Sequence, residues 1–135
     1  TTALAYVDSA IIAERSAVVN LLNKTLVGVI IKDYIEQMQS RTVTGSVTLD
    51  LTNGTLQKLI LNGNTTINLP EPVAGKSYSV LVYYNGAFVP TFAGTGLKWS
   101  NQVAPPAKST AGFYDLFVFT SDGSSTLGRS GGGNF

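Results

Sequence analysis

Neither histidine nor cysteine occurs among the 135 residues, and only 13% of them are charged. Without cysteine there are no disulfides, no iron–sulfur clusters and no thiolate zinc sites. Without histidine the chain lacks the commonest general base, the commonest transition-metal ligand and the usual partner of a serine nucleophile. The charged fraction is well below the roughly 25% of ordinary soluble domains. Little charge is therefore available to cover a surface, and burial of that surface against other chains is expected. A net charge of +1 with no basic run leaves no electrostatic footprint for nucleic acid. The longest apolar run, Leu26 to Ile31, is far too short to span a bilayer. Asp8 and Glu14 interrupt the first apolar segment, so no export leader is expected either.

What is present divides the chain into an N-terminal helix over 1–24, a connector over 25–41 and a β domain over 42–135. In the first segment Leu4, Val7, Ile11, Glu14, Val18 and Leu21 alternate spacings of three and four, the seam of a coiled coil. Glu14 is its single polar member. Ala5, Ile12 and Val19 widen the stripe beyond a two-stranded seam, which suits three strands or a groove on another protein. The plainer alternative is an amphipathic helix packed on its own domain. The seam Leu4, Val7, Ile11, Val18 and Leu21 is the expected site of homotrimer formation. After Asn23 the β-branched residues Thr25, Val27, Val29, Ile30 and Ile31 favour extended structure, and the connector is read as extended.

From Thr42 to Leu51 the residues Val43, Val47, Leu49 and Leu51 alternate with polar neighbours, the period of a strand with one buried face. Asn53-Gly54, Asn62-Gly63, Asn85-Gly86 and Asp122-Gly123 then punctuate apolar β-rich runs, the chemistry of tight hairpins. Four such turns predict an antiparallel meander closing as a β-sandwich or barrel, so the fold class is mainly β after an N-terminal α-helix. Two strands are apolar on both faces. Tyr78, Val80, Val82 and Tyr84 oppose Leu81 and Tyr83, while Phe113, Phe117 and Phe119 oppose Tyr114, Leu116 and Val118. Burial of both faces suggests a sandwich interior plus subunit contact, or else cover from the chain's own helix or loops.

The carboxylates form no calcium-loop cluster, and Gly94-Thr95-Gly96 and Gly131-Gly132-Gly133 lack the context of a phosphate loop. Glycoside hydrolysis would need two facing carboxyls, a pair such as Asp115 and Asp122, but Asp122 reads better as a turn residue and Asp115 as a paired charge among aromatics. No catalytic residue, cofactor or metal ligand is expected, and the chain is not read as an enzyme. Among the aromatics Tyr83, Tyr84, Phe88, Phe92 and Trp99, core packing is the commoner use. Trp99, flanked by Lys98 and Ser100, is the candidate ligand contact.

Several segments together resemble phage tail-fibre-like and prophage virion structural proteins. They begin with Ala13-Glu14-Arg15 and Asn23-Lys24-Thr25-Leu26, followed by Leu51-Thr52-Asn53-Gly54-Thr55 and the run Leu61-Asn62-Gly63-Asn64-Thr65-Thr66-Ile67-Asn68-Leu69-Pro70. Gly75-Lys76-Ser77-Tyr78, Lys98-Trp99, Ala104-Pro105 and the ending Gly133-Asn134-Phe135 continue the likeness. The chain departs from that pattern at Ser100-Asn101-Gln102-Val103 and at Leu127. The resemblance implies a homotrimeric structural protein on the exterior of a phage particle, assembled in the host cytoplasm, and implies no catalytic residue. Its expected role is a fibre-type or receptor-binding module attaching to the host surface. The alternative is a trimeric decoration protein that cements the phage head. Expected partners are other copies of itself, virion proteins of tail, baseplate or capsid, and a polysaccharide or protein of the host surface.

Overall fold

The computed structural model describes residues 21–135. The chain divides into two compact units, Thr1–Tyr34 and Ile35–Phe135. The expected helix over 1–24 and its seam residues Leu4, Val7, Ile11 and Val18 lie outside the described residues. Leu21 is described, and it is exposed and outside any helix. From Leu21 to Gln37 there is no regular structure, and β1 begins at Met38 inside the expected connector. This segment leaves large apolar side chains in the open, with Ile30 94% and Ile35 97% exposed.

Seven strands follow: β1 (Met38–Thr48), β2 (Leu56–Asn68), β3 (Ser77–Tyr84), β4 (Pro90–Ala93), β5 (Leu97–Trp99), β6 (Tyr114–Ser121) and β7 (Thr126–Gly133). Among the described residues the only helical elements are 3-10 turns at Leu51–Asn53 and Ser100–Gln102. The mainly β expectation holds. The antiparallel sandwich or barrel is corrected to one mixed sheet, ordered β1-β2-β3-β6-β7-β5, with β4 also pairing β2.

The correction has a physical cause. β1, β2 and β3 pair in parallel, in the register Met38↔Leu56↔Ser79, and further along Val47↔Ile67↔Phe92 joins β1, β2 and β4. Parallel neighbours ordinarily need a long helical crossover. Here only Leu49–Thr55 link β1 to β2, because each long strand bends midway and carries the chain round. At the bend the register jumps from Val43↔Leu61 to Gly45↔Thr65, leaving Asn62, Gly63 and Asn64 opposite Thr44. In the third turn the bend opens into the Asn85–Val89 segment between β3 and β4. The chain therefore coils, and successive coils stack as in a short solenoid whose repeats touch only their neighbours.

Asn62-Gly63 thus bends a strand, Asn85-Gly86 forms the corner before β4, and Asn53-Gly54 sits in a return loop. Asp122-Gly123 alone joins antiparallel neighbours, β6 and β7, as a hairpin should. Its turn is held by Asp122 Oδ1, which accepts from the backbone N–H of Ser124 and Ser125 at 2.9 and 2.7 Å.

The two arms of the coils close on one core. Leu59, Leu61, Val80, Val82 and Tyr84 come from the first arm, Val47, Ile67 and Leu69 from the second, and Phe117 and Phe119 from β6. Gln57 is fully buried among them and staples the first return loop, donating from Nε2 to the Gly54 and Asp50 carbonyls at 2.8 and 3.1 Å. Buried amides persist where both partners are supplied in this way.

Candidate functional site

Strand alternation sends one set of side chains into this core and the other outward, and the outward set is unusually apolar. Cross-strand register aligns Ile60, Tyr83 and Tyr114 in one row. Lys58, Leu81 and Leu116 form the next row, and Leu56, Ser79 and Val118 the one after. Each is half-buried. Tyr83 and Tyr114 lean on one another at 4.8 Å between ring centroids, and Lys58 Nζ lies 5.6 Å from the Tyr114 ring. Lys58 is the one charge in the middle of these rows. A sheet facing water normally alternates apolar with polar residues, and this one does not.

The inward side at the far end of the sheet is aromatic. Tyr78 pairs with Phe119 in the ladder, Phe119 with Gly128, and Gly128 with Trp99. The rings follow this order: Tyr78 stacks on Phe119 at 5.2 Å, and Trp99 lies 5.6 Å from Phe119 and 5.6 Å from Phe92. Gly128 is required between them, since a Cβ there would come within 2.7 Å of the Trp99 ring. Trp99, the expected ligand contact, is therefore half-buried and built into the core margin. Its remaining surface borders two clefts, one of about 210 Å³ shared with Pro90, Phe92, Pro105 and Phe117, and one of about 530 Å³ shared with Tyr78, Lys98, Phe119 and Arg129. The other aromatics separate. Tyr84 is wholly buried, Phe88 and Phe92 pack on the core, and Tyr83 faces out.

The carboxylates considered for glycoside hydrolysis have other work. Asp115 is 5% exposed, and its Oδ2 accepts from Tyr84 Oη at 2.8 Å and from the Lys108 N–H at 2.6 Å. Its Oδ1 accepts from the Asn134 N–H at 3.3 Å. One carboxylate thus ties β3, the loop before β6 and the C-terminal residues together. Burial, reinforced by the hydrogen bond to Asp115, pushes the Tyr84 phenol well above its ordinary range. Asp122 is occupied in its turn, where the Ser125 and Ser124 amides hold its carboxyl below the usual value. Among the described residues no group of three or more carboxylates is placed to hold a metal ion.

No protein-family model matches the chain, and neither a curated protein nor a solved structure resembles it significantly.

The unpartnered hydroxyl of Tyr78 was not legible in the sequence. Asp115, which interrupts the apolar alternation of β6 at an inward position, is the paired charge among aromatics that this pattern suggests.

Proposed function

We propose that the chain is a structural component of a phage virion, a fibre-type or receptor-binding module that works as a homotrimer on the exterior of the particle. The observation that carries this reading is the outward apolar face of Leu56, Ile60, Leu81, Tyr83, Tyr114, Leu116 and Val118. A face of this kind costs solubility in a lone chain and stabilises an assembly when covered, at about 25 cal/mol per Å² removed from water. The exposed apolar segment from Leu21 to Ile35 supplies a second surface of the same character. In a three-fold ring each copy sets such a face against a different patch of its neighbour. Stacked coils also suit a fibre, because a quasi-one-dimensional fold extends by adding repeats at its ends.

The resemblance to phage tail-fibre-like proteins supports the virion setting, and the scarcity of charge supports extensive contact with other subunits. In this role the β unit is a rigid scaffold and its loops meet the host surface. Antibody labelling of purified particles under the electron microscope tests the reading. Label on tail or baseplate fibres is expected. Label confined to the head shell moves the chain to the decoration role, and unlabelled particles remove it from the virion.

A further inference from the structure

We propose that the open edge of β1 is paired, in the assembled protein, by residues 25–31 of a second copy, added to the sheet as a further strand. This rests on the homotrimer reading and names how one copy holds the next.

β1 ends the sheet order, and among the described residues only β2 pairs with it. The direction of its free groups follows from its two ends. Just before β1 the Gln37 carbonyl accepts from the Leu56 N–H at 3.4 Å, and just after it the Leu49 N–H donates to the Asn68 carbonyl at 3.0 Å. The N–H and C=O of one strand residue point to the same edge and those of the next residue to the other, so the odd-numbered residues face β2. Met38, Ser40 and Thr42 therefore turn both groups to the open edge, and all three residues are exposed. Exposed edges are ordinarily blunted by proline, by charge or by shortness. β4 begins at Pro90, and β5 is three residues long with Lys98 at its centre. β1 has eleven residues, no proline and the single charge Arg41, whose guanidinium is drawn off to the Thr48 carbonyl at 3.1 Å.

The three-fold ring decides what fills this edge. β1 cannot pair there with β1 of its neighbour, because each contact in such a ring joins two different patches. Residues 25–31 meet the need. They are seven consecutive uncharged residues between Lys24 and Lys32, and Thr25, Val27, Val29, Ile30 and Ile31 favour extended backbone. All seven are exposed and lie outside any strand. Gly28 stands at φ 65°, and its turn to the extended region on pairing meets no penalty from a Cβ. Met38 lies beside Leu56 in register, so a strand laid on β1 adds its outward side chains to the row of Leu56 and Val118. The open edge is thus continuous with the apolar face assigned to subunit contact.

Hydrogen exchange of the intact chain, resolved residue by residue, tests the pairing. In the parent the Ser40 and Thr42 amides should exchange at least about tenfold more slowly than in Leu116→Glu, a variant expected to disperse the assembly. Arg41 and Val43, which face β2, should be protected alike in both. Val29→Pro and Ile30→Pro, made separately, remove the N–H of adjacent residues, one of which must face β1 in the added strand. At least one of them should release Ser40 and Thr42 while Arg41 and Val43 stay protected. Ser40 and Thr42 amides that exchange freely in an assembled parent overturn the proposal and leave the trimer standing. Protection that survives both prolines overturns it too, by giving the edge to another segment or partner. A parent that runs as a single chain fails the homotrimer reading, and the pairing with it.

Discussion

Tyr84 Oη donates to the Asp115 carboxylate at 2.8 Å, at the point where β3 meets β6 in the buried middle of the sheet. Because Asp115 also accepts from Lys108 and Asn134, this pair fixes the loop before β6 and the C-terminal residues at once. Tyr84→Phe should cost about 1.5–3 kcal/mol, the range for a hydrogen bond to a charged group, seen as a lower Tm. Asp115→Ala should in addition speed amide exchange at Lys108 and Asn134. An Asp115→Ala protein that protects both amides as well as the parent would show that the carboxylate does not anchor these segments.

Gly63 lies at the bend of β2, and a Cβ there would collide with the Thr44 hydroxyl. Its φ is not in the left-handed region, so the demand for glycine is one of space and not of backbone angle. Gly63→Val should destabilise by roughly 1–3 kcal/mol through overpacking. Thr44→Ala introduced beside Gly63→Ala should recover part of the loss. Failure of that rescue in thermal melts would mean that the bend itself cannot accept a side chain.

The pH response should be asymmetric. Burial raises the Tyr78 phenol from 10.0 to about 12 and raises Tyr84 further, so both favour the neutral form in the folded chain. Their contribution is complete below the ordinary tyrosine value and is lost as pH rises from there through the folded values, at up to about 1.4 kcal/mol per pH unit for each group. At the acid end, Asp50 and Asp122 are lowered chiefly by hydrogen bonds from Thr52 and from Ser125. Their contribution is present above the ordinary carboxylate value and fades as pH falls. Both carboxylates are exposed, so the acid loss should be the smaller. Melts showing no decline from pH 10 to 12 would contradict the burial of the two tyrosines.

Trp99→Ala should lower stability by about 2–4 kcal/mol, below or within the range for a buried aromatic, because the ring is only half covered. The measurement is a denaturant midpoint. An unchanged midpoint would return Trp99 to the role of a free surface anchor.

The alternation in the sequence was enough to sort inward from outward residues. Tyr78, Val80, Val82 and Tyr84 are buried while Leu81 and Tyr83 look out, as period two requires. Strand direction was not legible, because Asn-Gly serves a bend or a return loop as readily as a hairpin, and pairing depends on residues far away in the chain. The polar flanks of Trp99 concealed its share in the core margin for a similar reason: on so short a strand as β5 the exposed Lys98 and the half-buried Trp99 are simple alternation.

The outward face of β2, β3 and β6 is the surface on which the account depends, and the mass of the intact chain in solution tests it most directly. Native mass spectrometry of the parent should give three times the 14.2 kDa of one chain. Leu116→Glu, which sets a carboxylate in the middle of that face, should give the single-chain mass with the β unit still folded. A parent that runs as a single chain at micromolar concentration, or a Leu116→Glu protein that assembles like the parent, would contradict it.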